Sequence, residues 1–118
     1  LAFGSDAPVE RPDPFAGMAA ALTREDAAGQ PFGGWQPQER VSREAALAAY
    51  TSGAAYAGFA ESKFGRLAPG LRADFVLIDV DPMLVTPAAL RKAQVSETWI
   101  GGRKVFSVVR EPAAQSGR

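Results

Sequence analysis

The pattern of apolar residues changes near residue 62, and this change constrains the fold more than any other feature of the sequence. Before it, apolar residues recur at helical spacing, as at Phe15, Met18 and Leu22. After it, the continuous apolar run Phe75–Ile78 is typical of a strand buried on both faces. We therefore predict a mixed α/β chain, helical apart from one strand in its first part and consisting mostly of strands in its second.

Local signals set the boundaries of these elements. Asp13 followed by Pro14 is typical of a helix start, with the aspartate as N-cap and the proline at the first helical position. Ser42, with Glu44 in the first turn, predicts the start of a second helix. Gly101–Gly102 separates two strand candidates and predicts a two-residue hairpin turn.

The first nine residues are expected to form a short buried strand that ends in a polar turn. The run Leu1–Phe3 is apolar, and Pro8 cannot donate to a ladder of hydrogen bonds. The chain begins inside this run and without methionine, so we expect it to be a piece of a longer protein. A barrel strand without its neighbours has an unpaired edge, and self-association is therefore expected.

Composition excludes several classes of function. Lysine plus arginine and aspartate plus glutamate are both 13, so the formal net charge is zero, and no nucleic-acid or membrane partner is expected. No cysteine is present, which excludes disulfides and thiolate metal sites. No histidine is present either, although imidazole is the commonest metal ligand in proteins. Metal chemistry must therefore use carboxylates or ligands from elsewhere.

Two stretches together resemble the C-terminal end of the amidohydrolase superfamily, in the family-3 branch that includes proteins similar to N-substituted formamide deformylase. The first is Gly-Ser-Asp-Ala-Pro-Val at residues 4–9, and the second is Gly-Arg-Leu-Ala-Pro-Gly-Leu-Arg-Ala-Asp-Phe-Val-Leu-Ile-Asp at residues 65–79. Residues 21–24, 42–51 and 95–105 also match the family pattern. The glycine-rich second stretch is the more specific, and the resemblance covers nearly all of residues 1–108.

The resemblance implies a (β/α)8 TIM-barrel hydrolase with one or two divalent metals, zinc being the expected ion. It implies that residues 4–9 include the last barrel strand and that Asp6 is both a metal ligand and the catalytic general base and acid. The family's other ligands are histidines and a carboxylated lysine, so this chain alone is expected to be inactive. The implied segments are the last barrel strand and helices at 1–62, strands of an accessory β-sandwich at 63–110, and a flexible tail at 111–118.

Asp6 also has a structural interpretation. An aspartate two residues before Pro8 commonly closes an Asx-turn, and the local sequence by itself favours that role. The downstream match favours the catalytic role, because active sites of this barrel lie at the C-terminal ends of its strands. An aspartate there can take a proton from a water whose pKa is lowered by a metal.

Other polar candidates have structural interpretations that we prefer. Ser5 lacks a base that would make it a nucleophile. Asp74, Asp79 and Asp81 surround a strand and a proline turn, so strand-end and capping roles are favoured over a metal cluster. A salt bridge is the preferred role of Arg24, the alternative being a substrate carboxylate. Phe32 and Trp35 either line the mouth of a substrate pocket or pin their loop to the body, and both interpretations stay open.

The sequence therefore predicts a parent enzyme that hydrolyses carbon–nitrogen bonds, of the amide or formamide kind and other than peptide bonds, in a small-molecule substrate. The rival hypothesis is a non-catalytic α+β module used for binding or assembly, and a third is a stable remnant without a role of its own. A His-x-His motif upstream would favour the enzyme. The compartment stays open, with the cytoplasm slightly favoured.

Overall fold

The computed structural model describes residues 1–108, so the predicted tail at 111–118 lies outside the described residues. Within these residues, four α-helices and three strands follow one another. They are α1 (Pro14–Thr23), α2 (Arg43–Tyr50), α3 (Ser52–Ala57), β1 (Phe75–Ile78), α4 (Pro87–Leu90), β2 (Val95–Ile100) and β3 (Arg103–Ser107), with a short 3-10 turn at Pro37–Glu39 before α2.

The helices begin where the capping signals predict. The Asp13 carboxylate accepts hydrogen bonds from the first amides of α1, including Phe15 N at 3.0 Å. Ser42 Oγ accepts from Ala45 N at 3.1 Å, and Thr86 Oγ1 accepts from Ala89 N at 3.2 Å. Each cap satisfies an amide that has no partner within its own helix.

The three strands form one antiparallel sheet in the order β1-β2-β3. Phe75 pairs with Trp99, and Trp99 pairs with Lys104 on the other side. The β2–β3 hairpin turns at Gly101 and Gly102, whose φ angles are +58° and +74°. Both angles lie in the left-handed region that a type I′ turn requires, which confirms the predicted hairpin.

The expectation that Phe75–Ile78 is buried on both faces is wrong for the described residues. Val76 is 45% exposed and Leu77, on the opposite face, is 47% exposed. The described strands form a single sheet, whose Ile78 and Val95 pack against the core. Between α2, α3 and β1 lies an open groove of about 960 Å³, partly lined by Leu47, Phe64 and Val76.

The core joins the helical and strand-rich parts of the chain. Met18 of α1 and Leu90 of α4 are the largest fully buried side chains, and Ala46 of α2 packs in the same cluster. Ile78 and Val95 of the sheet pack against it. The cluster therefore includes residues on both sides of position 62, and the boundary predicted there stays a prediction.

The first nine residues do not form the predicted strand. They are irregular through Ser5 and then turn. Within residues 1–108 the one backbone hydrogen bond that joins this segment to another element runs from Phe3 N to Ala49 O, at 2.9 Å. A strand needs a ladder of such bonds with a neighbouring strand, and the described part of the chain offers none.

Candidate functional site

Asp6 lies in a tight turn at the end of the N-terminal segment. Its φ is +51°, in the left-handed region that aspartate tolerates better than most residues. Val9 N donates to Asp6 O at 2.9 Å, which closes the turn through the main chain. The Asp6 side chain is exposed. The turn thus presents the carboxylate away from the body of the chain.

The Asp6 carboxylate makes no polar contact with the described residues. Across residues 1–108 it accepts no hydrogen bond and forms no ion pair, so the Asx-turn is not formed. Ser5 beside it is half-buried. By contrast, Asp13 caps α1 and Asp26 accepts the amides of Ala28 and Gln30 at 2.8 and 2.9 Å. Asp6 is chemically free to bind a ligand.

The segment that carries Asp6 is held by contacts close to its start. The Phe3 and Tyr50 rings meet edge to face, with centroids 5.4 Å apart and planes at 72°. Phe3 N also donates to the carbonyl of Ala49, the residue before Tyr50 in α2. Partial burial, and to a lesser degree the charge of Asp13, raise the pKa of the Tyr50 phenol. The Tyr50 phenol is thus uncharged, and its ring packs between the N-terminal segment and the helices.

The three downstream aspartates each have a local structural partner, as predicted. Asp74 binds the guanidinium of Arg72 and accepts from Gly101 N at 2.8 Å. Asp79 Oδ1 accepts from Gln94 N at 2.8 Å, and Asp81 Oδ1 accepts from Met83 N at 2.8 Å. Nowhere in residues 1–108 do three histidine, cysteine or acidic side chains gather as a possible metal site.

Among residues 1–108, Arg24 does not make the predicted salt bridge. Its Nε donates to Trp35 O at 3.1 Å, and its guanidinium lies 5.1 Å from the centroid of the Trp35 ring. Arg40 links the same loop to the end of α1. Its Nε donates to Thr23 O at 3.2 Å, and its Nη2 donates to Gly33 O in the loop. Trp35 thus contacts the body of the chain through Arg24, but it is 61% exposed and also lines a cavity with Phe3, so both interpretations of it stay open.

Phe32, in the same loop, is 93% exposed and thus does not pin it to the described residues. The loop follows the C-terminal end of α1, and some of its residues share a cavity with Leu1. Leu1 is at the opposite end of the N-terminal segment from Asp6. Whether Phe32 contacts substrate stays a hypothesis.

The sheet has its own charged cluster, on the face that carries Trp99. The Trp99 indole stacks on Phe75, with centroids 5.6 Å apart and planes at 11°. Its Nε1 donates to Glu97 Oε2 at 2.8 Å, and Lys104 Nζ lies 2.6 Å from Glu97 Oε1. The hydrogen bond from Lys104, with that from Trp99, lowers the pKa of Glu97. Trp99, Glu97 and Lys104 thus each have a hydrogen-bond partner within this cluster.

The profile of the amidohydrolase family matches residues 1–106, almost all of the part that the structure describes. The chain belongs to the amidohydrolase family. Its described residues have the α/β character that the resemblance implied, with a three-stranded antiparallel sheet. This match confirms the family that was identified from the residues.

Three curated proteins are similar to this amidohydrolase chain. A putative amidohydrolase of Bacillus subtilis, YtcJ, is 33% identical over 103 residues, which cover 87% of this chain and 20% of that protein. The N-substituted formamide deformylase of Arthrobacter pascens is 33% identical over 102 residues, covering 86% and 18%. Protein LONG AFTER FAR-RED 3 of Arabidopsis thaliana is 34% identical over 106 residues, covering 90% and 18%. The chain thus spans about a fifth of these relatives.

The search of solved structures gives no significant match. In the described residues, every helix is too short or too polar to cross a bilayer.

The donor chemistry of the chain fits part of a divalent-metal site. Asp6 has an exposed carboxylate without a partner in residues 1–108, and carboxylate oxygen is a ligand for zinc and for harder cations. One carboxylate does not make a site, and the described residues bring no second and third ligand to it. The chain is therefore suited to contribute one ligand, Asp6, to a divalent-metal site.

Sequence reasoning did not predict that Tyr50, which packs against the core, also contacts the N-terminal segment. The contact that matters is with Phe3, far away along the chain, and helical periodicity cannot reveal it. One signal was present: Gly17 and Gly53 lie inside helices, where glycine is disfavoured unless a close approach requires it.

Proposed function

We propose that the full-length protein containing this chain is a metal-dependent hydrolase acting on non-peptide carbon–nitrogen bonds of a small molecule. An N-substituted amide or formamide is the substrate class. The observation that carries the proposal is the Asp6 carboxylate, which is exposed, lies in a turn with φ +51°, and has no partner in residues 1–108. Family membership and the similarity to a formamide deformylase support the choice of bond.

In this proposal the parent fold is a (β/α)8 barrel, and residues 4–9 include its last strand. Asp6 then lies at the C-terminal end of that strand, where barrel enzymes have their active sites. The irregular form of the segment is compatible with this, because barrel strands are completed by hydrogen bonds with neighbouring strands. The strands after residue 62 belong to a separate β-sandwich in the same parent.

Asp6 has two roles in the proposed mechanism. A divalent metal bound there, zinc in this proposal, would lower the pKa of a water molecule and polarise the substrate carbonyl. Asp6 is one ligand and hydrogen-bonds the attacking water, from which it takes a proton as the C–O bond forms. The protonated carboxyl then gives that proton to the leaving nitrogen as the C–N bond breaks. The products are a carboxylic acid and an amine.

The test compares the full-length wild-type protein with Asp6→Asn. The measurements are bound zinc per protein and the rate of hydrolysis of an N-substituted formamide. We expect close to stoichiometric zinc in the wild type and a loss in kcat of about 10³-fold in the variant, the range typical of a general base. Glu10→Gln is the matched control, because Glu10 is exposed just after the same turn. Full activity in Asp6→Asn would overturn the proposal.

A non-catalytic binding or assembly module is the second candidate. It is favoured by the absence of a complete metal site from residues 1–108. The same experiment separates the two, because a module binds no stoichiometric metal and is indifferent to Asp6→Asn. A His-x-His motif elsewhere in the full-length protein is the sequence feature that favours the enzyme.

A further inference from the structure

We propose that Val9 is a specificity-determining residue of the hydrolase, and that it packs against an apolar N-substituent of the amide or formamide substrate. This inference rests on the proposed function and deepens it, since it names the part of the substrate that lies beside Asp6. One local relationship carries it: Val9 is an exposed apolar residue at the far end of the turn that begins at Asp6.

The turn fixes how far Val9 lies from Asp6. Val9 N donates to Asp6 O at 2.9 Å, and a four-residue turn closed in this way holds its first and last Cα atoms within about 7 Å of each other. Every atom in this relationship belongs to residues 6–9. The relationship therefore does not depend on which strands of the full-length barrel lie beside the segment.

The side chains of the turn give it an apolar surface. Ala7, Pro8 and Val9 are all exposed, Val9 by 74%, and Asp6 is the one charged residue of the four. A single exposed valine is ordinary on a protein surface. Here, however, three apolar residues in succession follow the proposed base. The carboxylate is thus bordered by hydrocarbon on its C-terminal side.

The turn also has a suitable place in the proposed barrel. Asp6 lies at the end of the last strand in that proposal, so residues 7–13 form the loop that joins the strand to α1. Loops that follow barrel strands build the active-site face. Hydrogen bonds order this loop at both ends, through the turn at one end and through the Asp13 cap of α1 at the other. Val9 is therefore held on the face where substrate binds.

The proposed mechanism decides which part of the substrate meets Val9. The protonated Asp6 carboxyl gives its proton to the leaving nitrogen, which must then come within hydrogen-bond reach of Asp6, about 3 Å. The N-substituent begins at that nitrogen, and in a formamide it is the one bulky group, since the acyl carbon carries only hydrogen. Because the Val9 side chain offers methyl groups and no hydrogen bond, a hydrocarbon substituent fits it better than a polar one.

The experiment uses the full-length protein and two formamides of equal size. N-butylformamide carries a hydrocarbon chain, and N-(2-methoxyethyl)formamide has an ether oxygen in place of one methylene. The measured quantity is the ratio of kcat/KM for the butyl substrate to kcat/KM for the methoxyethyl substrate. Loss of zinc, partial unfolding or displacement of Asp6 lowers both rates together, so the ratio reports on recognition of the substituent.

Two substitutions keep the main-chain hydrogen bond of the turn and change only the side chain. Val9→Thr replaces a methyl group by a hydroxyl, and Val9→Ala removes both methyl groups. We expect a wild-type ratio of about 10 or more, and a ratio lower by about three- to tenfold in each variant. Val105→Thr is the matched control, because Val105 is 57% exposed and lies in β3. Its ratio should stay within about twofold of wild type.

The outcomes separate this inference from the proposed function. If Asp6→Asn abolishes activity while both Val9 variants keep the wild-type ratio, the role of Val9 is wrong and the hydrolase proposal stands. A lower Tm of the Val9 variants at an unchanged ratio would mean that Val9 packs against another part of the protein, and it overturns the inference equally. If Asp6→Asn is fully active, the proposed function is wrong and this inference is wrong with it. A ratio that falls in the Val9 variants but not in Val105→Thr supports the inference.

Discussion

Asp74 Oδ1 accepts a hydrogen bond of 2.8 Å from the backbone nitrogen of Gly101, and this bond ties the start of β1 to the β2–β3 hairpin turn. The same carboxylate binds the Arg72 guanidinium. The Arg72 hydrogen bond, followed by that from Gly101, holds the pKa of Asp74 below its ordinary value of 3.8. One ionised side chain thus organises one end of the sheet.

The first prediction concerns the pH dependence of stability. Because the pKa of Asp74 is lowered by folding, its contribution is present above its ordinary pKa and is lost as the pH falls through the folded value. Asp74→Asn keeps an acceptor for Gly101 but loses the charge. We expect its Tm to be lower than wild type by about 2 °C at pH 6 and the difference to shrink as the pH falls below the ordinary pKa of 3.8.

Thermal unfolding of the 118-residue chain, followed by circular dichroism at several pH values, measures this difference. Glu10→Gln is the control, since Glu10 is exposed and has no ion pair among residues 1–108. A Tm difference for Asp74→Asn that does not change with pH would show that the ionised carboxylate is not what ties the hairpin.

The second prediction concerns the junction of α1 and α4. Leu90 is fully buried and belongs to the core cluster with Met18, whereas Leu84 is 80% exposed. Leu90→Ala should lower the free energy of unfolding by about 2–5 kcal/mol, because it removes buried methyl groups and leaves a cavity. Leu84→Ala should change it by less than about 0.5 kcal/mol. Urea titration of both variants checks the contrast; similar losses would mean that the cluster is not the core.

The third prediction separates the two aromatic residues of the loop before α2. Trp35→Ala removes the ring under the Arg24 guanidinium and should cost about 0.5–1 kcal/mol of stability. Phe32→Ala should leave the Tm unchanged, because Phe32 is 93% exposed. Differential scanning calorimetry of the two variants tests this. A larger Tm loss for Phe32→Ala than for Trp35→Ala would contradict the structure of the loop.

The fourth prediction is that the isolated chain self-associates. β3 is an edge strand whose Val105 and Phe106 are 57% and 50% exposed, and nothing in the described part of the chain covers its free edge. Phe106→Lys should therefore shift the chain toward the monomer in sedimentation velocity at high concentration. Leu84→Lys is the matched control, because Leu84 is 80% exposed and lies outside the strands. A monomeric wild-type chain at high concentration would overturn this prediction.

The sequence was informative where structure is decided within a few residues. Asp13 and Ser42 cap helices as predicted, because a side-chain oxygen reaches an amide two or three positions away. The paired glycines at 101 and 102 form the hairpin turn for an equally local reason. The family was identified from a second local feature, the glycine-rich stretch at residues 65–79.

The errors came from contacts between distant parts of the chain. Burial of Val76 and Leu77 depends on what lies above each face of the sheet, and an apolar run does not contain that information. Arg24 was expected to find a carboxylate but instead binds a carbonyl and a ring eleven positions away. The Tyr50 ring contacts both Gly17 and Phe3, residues far from it along the chain, and no periodic pattern shows such contacts.

Alanine dominates the interior of residues 1–108: of the seven apolar residues that are buried there, Ala19, Ala46, Ala49 and Ala55 make up the majority. Alanine brings little apolar area out of water, so unfolding hydrates less hydrocarbon than is usual for a chain of this length. The heat-capacity increment should then fall below the roughly 1.2–1.5 kcal/mol/K typical of 100 residues, and the denaturant m-value should be correspondingly small. The stability curve of such a molecule is shallow and broad, and it changes little between refrigeration and body temperature.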